Sequence, residues 1–251
     1  MPSIKNIIAQ TFKDIWNSRR SLLSVILIVM VPVVLLSVFT SNDQAIGAYG
    51  SFATLIMNMA VLSTVIRIKT TGQTVSVGQA YYEGTARLVA FIGVIVLLGL
   101  ALVPFLIGGL FYLSGSTGST VGLGTPELII LAAWWAIWSM PSIWLINRSI
   151  FALYFVLDSA YKPLAALRHS ASLVRGHSWA VLGRLLVGTV VLFIAIVLPS
   201  LALSALPDSA SFGVKLGTAA LQIVSSVVLV SFASIYGYNI VEALGGKPRA
   251  S

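Results

Sequence analysis

The chain contains no cysteine. That absence excludes disulfides, thiolate metal sites and a cysteine nucleophile. Charge is scarce as well. Asp, Glu, Lys and Arg make up 9% of the 251 residues, against about 25% in an ordinary soluble domain. There are only two histidines, His169 and His177, eight residues apart on a polar segment with no Asp or Glu close by in sequence. They do not suggest a metal site. There is no Gly-rich phosphate loop, no HExxH motif and no aspartate array of the kind that lipid-headgroup transferases use. Ser116 and Ser119 lie in a Gly-rich stretch without a paired base and read as linker residues. With no nucleophile set beside a base, the expectation is a non-enzymatic protein that needs no cofactor and no metal.

What the chain has is apolar length. Hydrophobic residues account for 58% of it, and the mean hydropathy is +0.99. No soluble core absorbs that much apolar surface, so the class is all-α integral membrane. Six segments reach the roughly 20 apolar residues of a span: Ser21–Thr40, Gly50–Ile66, Ala86–Leu113, Leu128–Asn147, Trp179–Leu206 and Leu216–Val241. The first is longer than a signal h-region and lacks a small-x-small cleavage site, so it is expected to stay as a span.

The positive charges sort by side. Lys5, Lys13, Arg19 and Arg20 precede the first span. Arg67, Lys69 and Arg87 follow the second, and Arg148, Lys162, Arg168, Arg175 and Arg184 follow the fourth. Lys247 and Arg249 close the tail, which leaves Lys215 alone opposite. The positive-inside rule then places both termini in the cytoplasm of a multi-pass cell-membrane protein. The net charge of +8 reads as membrane-flanking charge spread between apolar runs, not as a nucleic-acid patch. The outer loops Ser41–Tyr49, Ser114–Glu127 and Pro207–Lys215 are short. No soluble domain of useful size is available on either face.

The odd spans share an introduction. Ser3–Asn17 places Ile4, Ile7, Ile8, Thr11, Phe12, Ile15 and Trp16 on one helical stripe. Ser76–Glu83 opens with Ser76 and Gln79 at capping-box spacing. Pro163–Arg175 sets Leu164, Leu167, Ala171 and Val174 opposite Arg168, Ser172 and Arg175, with Pro163 suited to a first turn. Gly84 and Gly176 are expected to end their helices at positive φ, with Thr85 and Ser178 as N-caps of the next span. Each odd span also carries a late proline: Pro32, Pro104 and Pro199. The expected organisation is one membrane domain over residues 1–251. It comprises an interfacial helix over 1–20, a first hairpin over 21–66 and an interfacial helix plus second hairpin over 67–147. An interfacial segment plus third hairpin follows over 148–245, then a tail over 246–251. Repeats of this kind surround a central site in many transporters, which also show broken helices at the midplane. Kinks alone do not establish such a site.

No ionisable residue lies near a predicted midplane, which argues against a proton relay. Asn58 and Gln222 are the strongest buried polar candidates and read first as interhelical hydrogen-bond partners. Ser225, Ser226, Ser231, Ser234 and the Ala233/Gly237 pair suggest close packing along the sixth span, where an oligomer seam is an option. The fourth span carries Trp134, Trp135, Trp138 and Trp144 with Pro141 between them. Four tryptophans on one helix cannot all sit at the headgroup level. Packing is the default role and a lined cavity the second.

The stretch from Arg148 to Gly188 is the most diagnostic: RSIFALYFVLDSAYKPLAALRHSASLVRGHSWAVLGRLLVG. Its Ala166, Leu167, Ser170, Arg175, Gly176, Trp179 and Gly183 resemble the conserved segment of a bacterial membrane-domain family. That domain is attached to some glycerophosphodiester phosphodiesterases and also occurs in related six-span proteins. The resemblance implies a six-span module. In the phosphodiesterases a separate soluble domain carries the hydrolysis, and this chain has no counterpart, so the activity is not carried over. Membrane lipids are the expected partners, with Arg168, Arg175, Arg184 and Trp179 as candidate contacts to anionic headgroups or to a protein partner; a homo-oligomer is also open. The alternative is a permease-like transporter subunit, because Gln79-Ala80…Gly84 faintly resembles the coupling helix of importer permeases.

Overall fold

The computed structural model describes residues 2–39, 43–117, 125–159, 161–204 and 212–246, and every element among them is an α-helix. Five helical stretches are long and apolar enough to cross a membrane, or six if one bent pair counts as a span. Helix α1 (Ile4–Phe39) pairs with α2 (Asp43–Thr71). The short α3 (Val77–Thr85) folds back onto α2, and α4 (Leu88–Ala101) leads through a one-residue break into α5 (Val103–Thr117). Helix α6 (Thr125–Ser149) returns along α5 and is followed by α7 (Ala152–Ser159) and α8 (Pro163–Val174). Finally α9 (Ser178–Ser204) pairs with α10 (Phe212–Ala243), and α10 also lies along α1, so the first and last helices close the bundle.

The three introductions are built differently. Nothing separates residues 1–20 from the first span: α1 is a single helix of 36 residues. No glycine or proline occurs from Ile4 to Val31 to interrupt it. At 1.5 Å per residue it is about 54 Å long, well beyond a hydrocarbon core of about 30 Å. Of its expected stripe, Ile7 and Thr11 are buried while Phe12 and Trp16 are exposed. In the second unit α3 and α4 meet at a bend of 63°. The bend falls at Ala86–Arg87, and Gly84 does not have the positive φ expected of it. Gly84 serves close approach instead: a Cβ there would lie 3.0 Å from the Ala60 backbone nitrogen of α2. In the third unit Gly176 does turn the chain at φ 85° between α8 and α9.

The expected caps are met in part. The Ser76 hydroxyl accepts from the Gln79 amide at 3.4 Å. The Gln79 side chain donates to Glu83 at 3.1 Å, so the box is not reciprocal. Thr85 and Ser178 cap nothing; their hydroxyls donate back to the carbonyls of Tyr81 and Val174. Among the late prolines, Pro32 sits inside an unbroken α1 and α9 stays helical through Pro199, while Pro104 follows the break at Leu102. Lys247, Arg249, Ser119 and residues 41–42, 118–124 and 207–211 of the expected outer loops lie outside the described residues, as do the side chains of Ser116, Lys215 and Gln222; the rest of those loops is helical, α2 beginning already at Asp43.

Candidate functional site

Helix α8 positions the basic residues. Its buried face is Ala166, Ser170 and Val174, spaced four apart as one helical row requires. This row lies beside the leucine stripe expected from the sequence; Leu164 is exposed. The small side chains let α8 lie close to the end of α6, where the Ser170 hydroxyl donates to the Arg148 carbonyl at 2.6 Å. Pro163 opens α8 and rests against Gly93 of α4, where a Cβ would come within 2.9 Å of the proline ring.

Two connected recesses result. One is a pocket of about 380 Å³ lined by Arg148, Arg168, Ala171, Ser172 and Arg175. The other is an open groove of about 1040 Å³ between α4 and α8, with Gly93, Val96 and Leu97 on its apolar side and Lys162 and Arg168 on its basic side. Arg168 and Ser172 belong to both. The Arg148 guanidinium lies 4.0 Å from the Trp144 ring, a cation–π contact, and its buried Nε has no hydrogen-bond partner. No carboxylate lines either recess among the described residues. Arg148 at the end of α6, Arg168 on α8 and Arg175 just after it thus line a recess that adjoins an apolar groove, which suits an anion carrying an apolar chain.

The other expected contacts are placed elsewhere. Arg184 is buried in α9 and donates to the Pro2 carbonyl at 2.9 Å, tying the start of the chain to the third hairpin. It therefore does not share the pocket of Arg168 and Arg175. Trp179 is 86% exposed at the start of α9. Leu167 is half-buried, and Gly183 has open space around it. His169 is wedged between the rings of Phe155 and Tyr161, and His177 sits in the exposed turn beside Gly176.

Some of the remaining candidates resolve into packing, whereas Trp134 and Trp144 are about half exposed and, among the described residues, the buried Ser231 hydroxyl has no hydrogen-bond partner. Trp135 and Trp138 close over Gly108 and Gly109 of α5, and the Trp135 indole donates to the Phe105 carbonyl at 3.4 Å. Ala233 and Gly237 receive Tyr154 of the same chain, whose hydroxyl donates to the Ser234 carbonyl at 2.8 Å. This small-residue face is therefore occupied from within. Ala80 and Gly84 are buried, so they face the protein. Asn58 also stands apart: among the described residues it has no hydrogen-bond partner, and it lines a half-open cavity bordered by all three hairpins.

Sequence reasoning missed a polar knot joining α1, α2 and α10. The Lys69 ammonium donates to Asp14 at 2.5 Å and to Asn239 at 2.8 Å. The Asn239 amide donates in turn to Thr11 at 3.0 Å. The partners are 55 to 228 residues apart, and no local pattern pairs them. No protein-family model, no curated protein and no solved structure matches this chain.

Proposed function

We propose that the protein is a non-enzymatic, six-span module of the cell membrane that binds anionic lipid at its cytoplasmic, basic end. The bent α3–α4 pair and α5 supply the third span, both termini are cytoplasmic, and α3 and α8 lie at the interface. The observation that carries the reading is that Arg168 and Ser172 border both the apolar groove on α4 and the triple-arginine pocket. An acyl chain lying along Val96 and Leu97 would bring its phosphate to Arg148, Arg168 and Arg175. The resemblance of Arg148–Gly188 to the phosphodiesterase-linked membrane domain is compatible with this role and supplies no activity of its own.

Each basic residue beside an anionic leaflet contributes about 1 kcal/mol. The double variant R168Q/R175Q is therefore expected to lower retention of anionic phospholipid about thirtyfold. Native mass spectrometry of the chain in nanodiscs of mixed neutral and anionic lipid reads this directly. Retention unchanged, with the topology intact, would mean that these arginines only set orientation. A permease-like subunit is the second reading, favoured by the exposed Gln79 and the 77% exposed Tyr82 on α3. A stoichiometric ATPase extracted with the chain would replace the lipid reading with that one.

A further inference from the structure

The three hairpins leave a cavity of about 530 Å³ between them. Its walls come from every hairpin: Thr54 and Asn58 of α2, Phe91 and Ile95 of α4, Thr189 and Leu192 of α9. The volume falls within the roughly 300–1,000 Å³ of small-ligand sites. No Asp, Glu, Lys, Arg or His lines it among the described residues.

Most of the polar groups around it are already engaged. Ser51 and Thr189 donate to carbonyls one turn back on their own helices, at 2.7 and 2.9 Å. Tyr154 and Tyr236 reach backbone carbonyls of Ser234 and Arg184, at 2.8 and 2.7 Å. Glycines make room for both rings. A Cβ on Gly188 would stand 2.5 Å from the Tyr236 ring, and the Tyr154 hydroxyl rests on Gly237. The two tyrosines are thereby drawn toward the helix backbones instead of filling the space. Asn58 and Thr54, one turn apart on the same face of α2, are different. Among the described residues, neither side chain has a partner. An amide facing apolar walls is unfavourable unless something hydrogen-bonds to it.

We infer that the cavity binds an uncharged, largely apolar molecule with a single hydrogen-bonding head, of the class of a long-chain alcohol. The head meets Asn58 and Thr54, and the chain lies on Phe91, Ile95 and Leu192. An ionised head is disfavoured, because no charged side chain lines this half-open cavity among the described residues to compensate it. This site is separate from the arginine pocket and does not depend on it.

The test labels the full chain in nanodiscs with a photoreactive long-chain alcohol, in parallel with the photoreactive fatty acid of equal length at alkaline pH. Labelled peptides are read by mass spectrometry. Saturable labelling of α2 and α9 around Asn58 and Thr189 is expected. Asn58→Leu should lower it about fivefold, the loss of one hydrogen bond, and Thr189→Trp should abolish it by filling the space. Asn58→Leu is close in volume and guards against misfolding of the larger replacement. The fatty acid should label at least about tenfold less. Labelling spread over outward side chains such as Ile137 and Phe193, or saturable labelling that neither variant reduces, would overturn the site. Equal labelling by the fatty acid would overturn the assignment to a neutral ligand.

Discussion

Helices α1, α2 and α10 differ sharply from α6 and α9. Along their most apolar stretches, 39%, 50% and 56% of the residues of α1, α2 and α10 are buried, against 11% for α6 with α7 and 17% for α9. All of these helices are apolar, so composition does not separate the groups. In a bilayer, apolar surface gains little by leaving lipid for protein, and helices associate through close packing and hydrogen bonds instead. The buried group has both. Lys69, Asp14, Asn239 and Thr11 knot its three helices together. The Tyr81 hydroxyl reaches the Val25 carbonyl at 2.7 Å, and Arg67 pairs with Glu83. Gly84 and Gly237 admit close neighbours. On the other side, Ile130, Ile137, Met140 and Phe193 point outward, as lipid-facing residues do.

The polar knot is where the comparison breaks most readily. The Asp14 and Lys69 side chains retain only 14% and 17% of their exposure. Asp14→Ala leaves a largely buried ammonium with Asn239 as its remaining acceptor. A loss of about 3 kcal/mol is expected, read as reversible unfolding in mixed micelles. Asp14→Asn, which keeps an acceptor oxygen, should lose clearly less. A loss under about 1 kcal/mol for the alanine variant would place the pair among solvated surface bridges, and the buried group would then owe its cohesion to packing alone.

Packing is tested by two glycines on adjacent helices. Gly237→Ala drives a methyl into the Tyr154 hydroxyl and displaces its bond to Ser234, so about 2 kcal/mol should be lost. Gly183 has nothing within 4 Å of its would-be Cβ. Gly183→Ala should be neutral or stabilise by up to about 1 kcal/mol through helix propensity. Equal losses at both positions in the same unfolding assay would refute close approach as the reason for Gly237.

What could be read from the sequence follows the range of the interaction. That the chain carries several helices apolar enough to cross a membrane was legible, because hydropathy is a local sum, but their limits were not: the first reaches back to Ile4 and the fourth runs on to Asp158, against expected limits of Ser21 and Asn147. The Ser76 cap and the Gly176 turn were legible because each is decided by its neighbours in sequence. Gly84 was not: a glycine near a helix end looks the same whether it turns the chain or admits Ala60. The buried face of α8 was legible only at Val174, for a related reason. Leu164 and Leu167 outrank Ala166 and Ser170 in hydrophobicity, yet between membrane helices small residues make the contact. Arg168 and Arg175 were singled out by charge alone, as was Arg184, whose engagement with Pro2 spans 182 residues. The cavity beside Asn58 was invisible as well, since its lining is drawn from all three hairpins.

The weakest effect is expected on the open side. Ile137 is 62% exposed on α6, and Ile137→Ala removes surface that meets lipid in both the folded and the separated helices. Its effect on stability should stay within about 0.5 kcal/mol, whereas Phe232→Ala in the buried group should lose about 3–5 kcal/mol. The same pair decides what covers α6. If lipid covers it, the substitution leaves the mass of the particle in nanodiscs unchanged at every protein-to-lipid ratio. If a second copy covers it, Ile137→Ala shifts the chain toward the monomer as lipid is added, and the low burial of α6 then marks an interface instead of a lipid-facing wall.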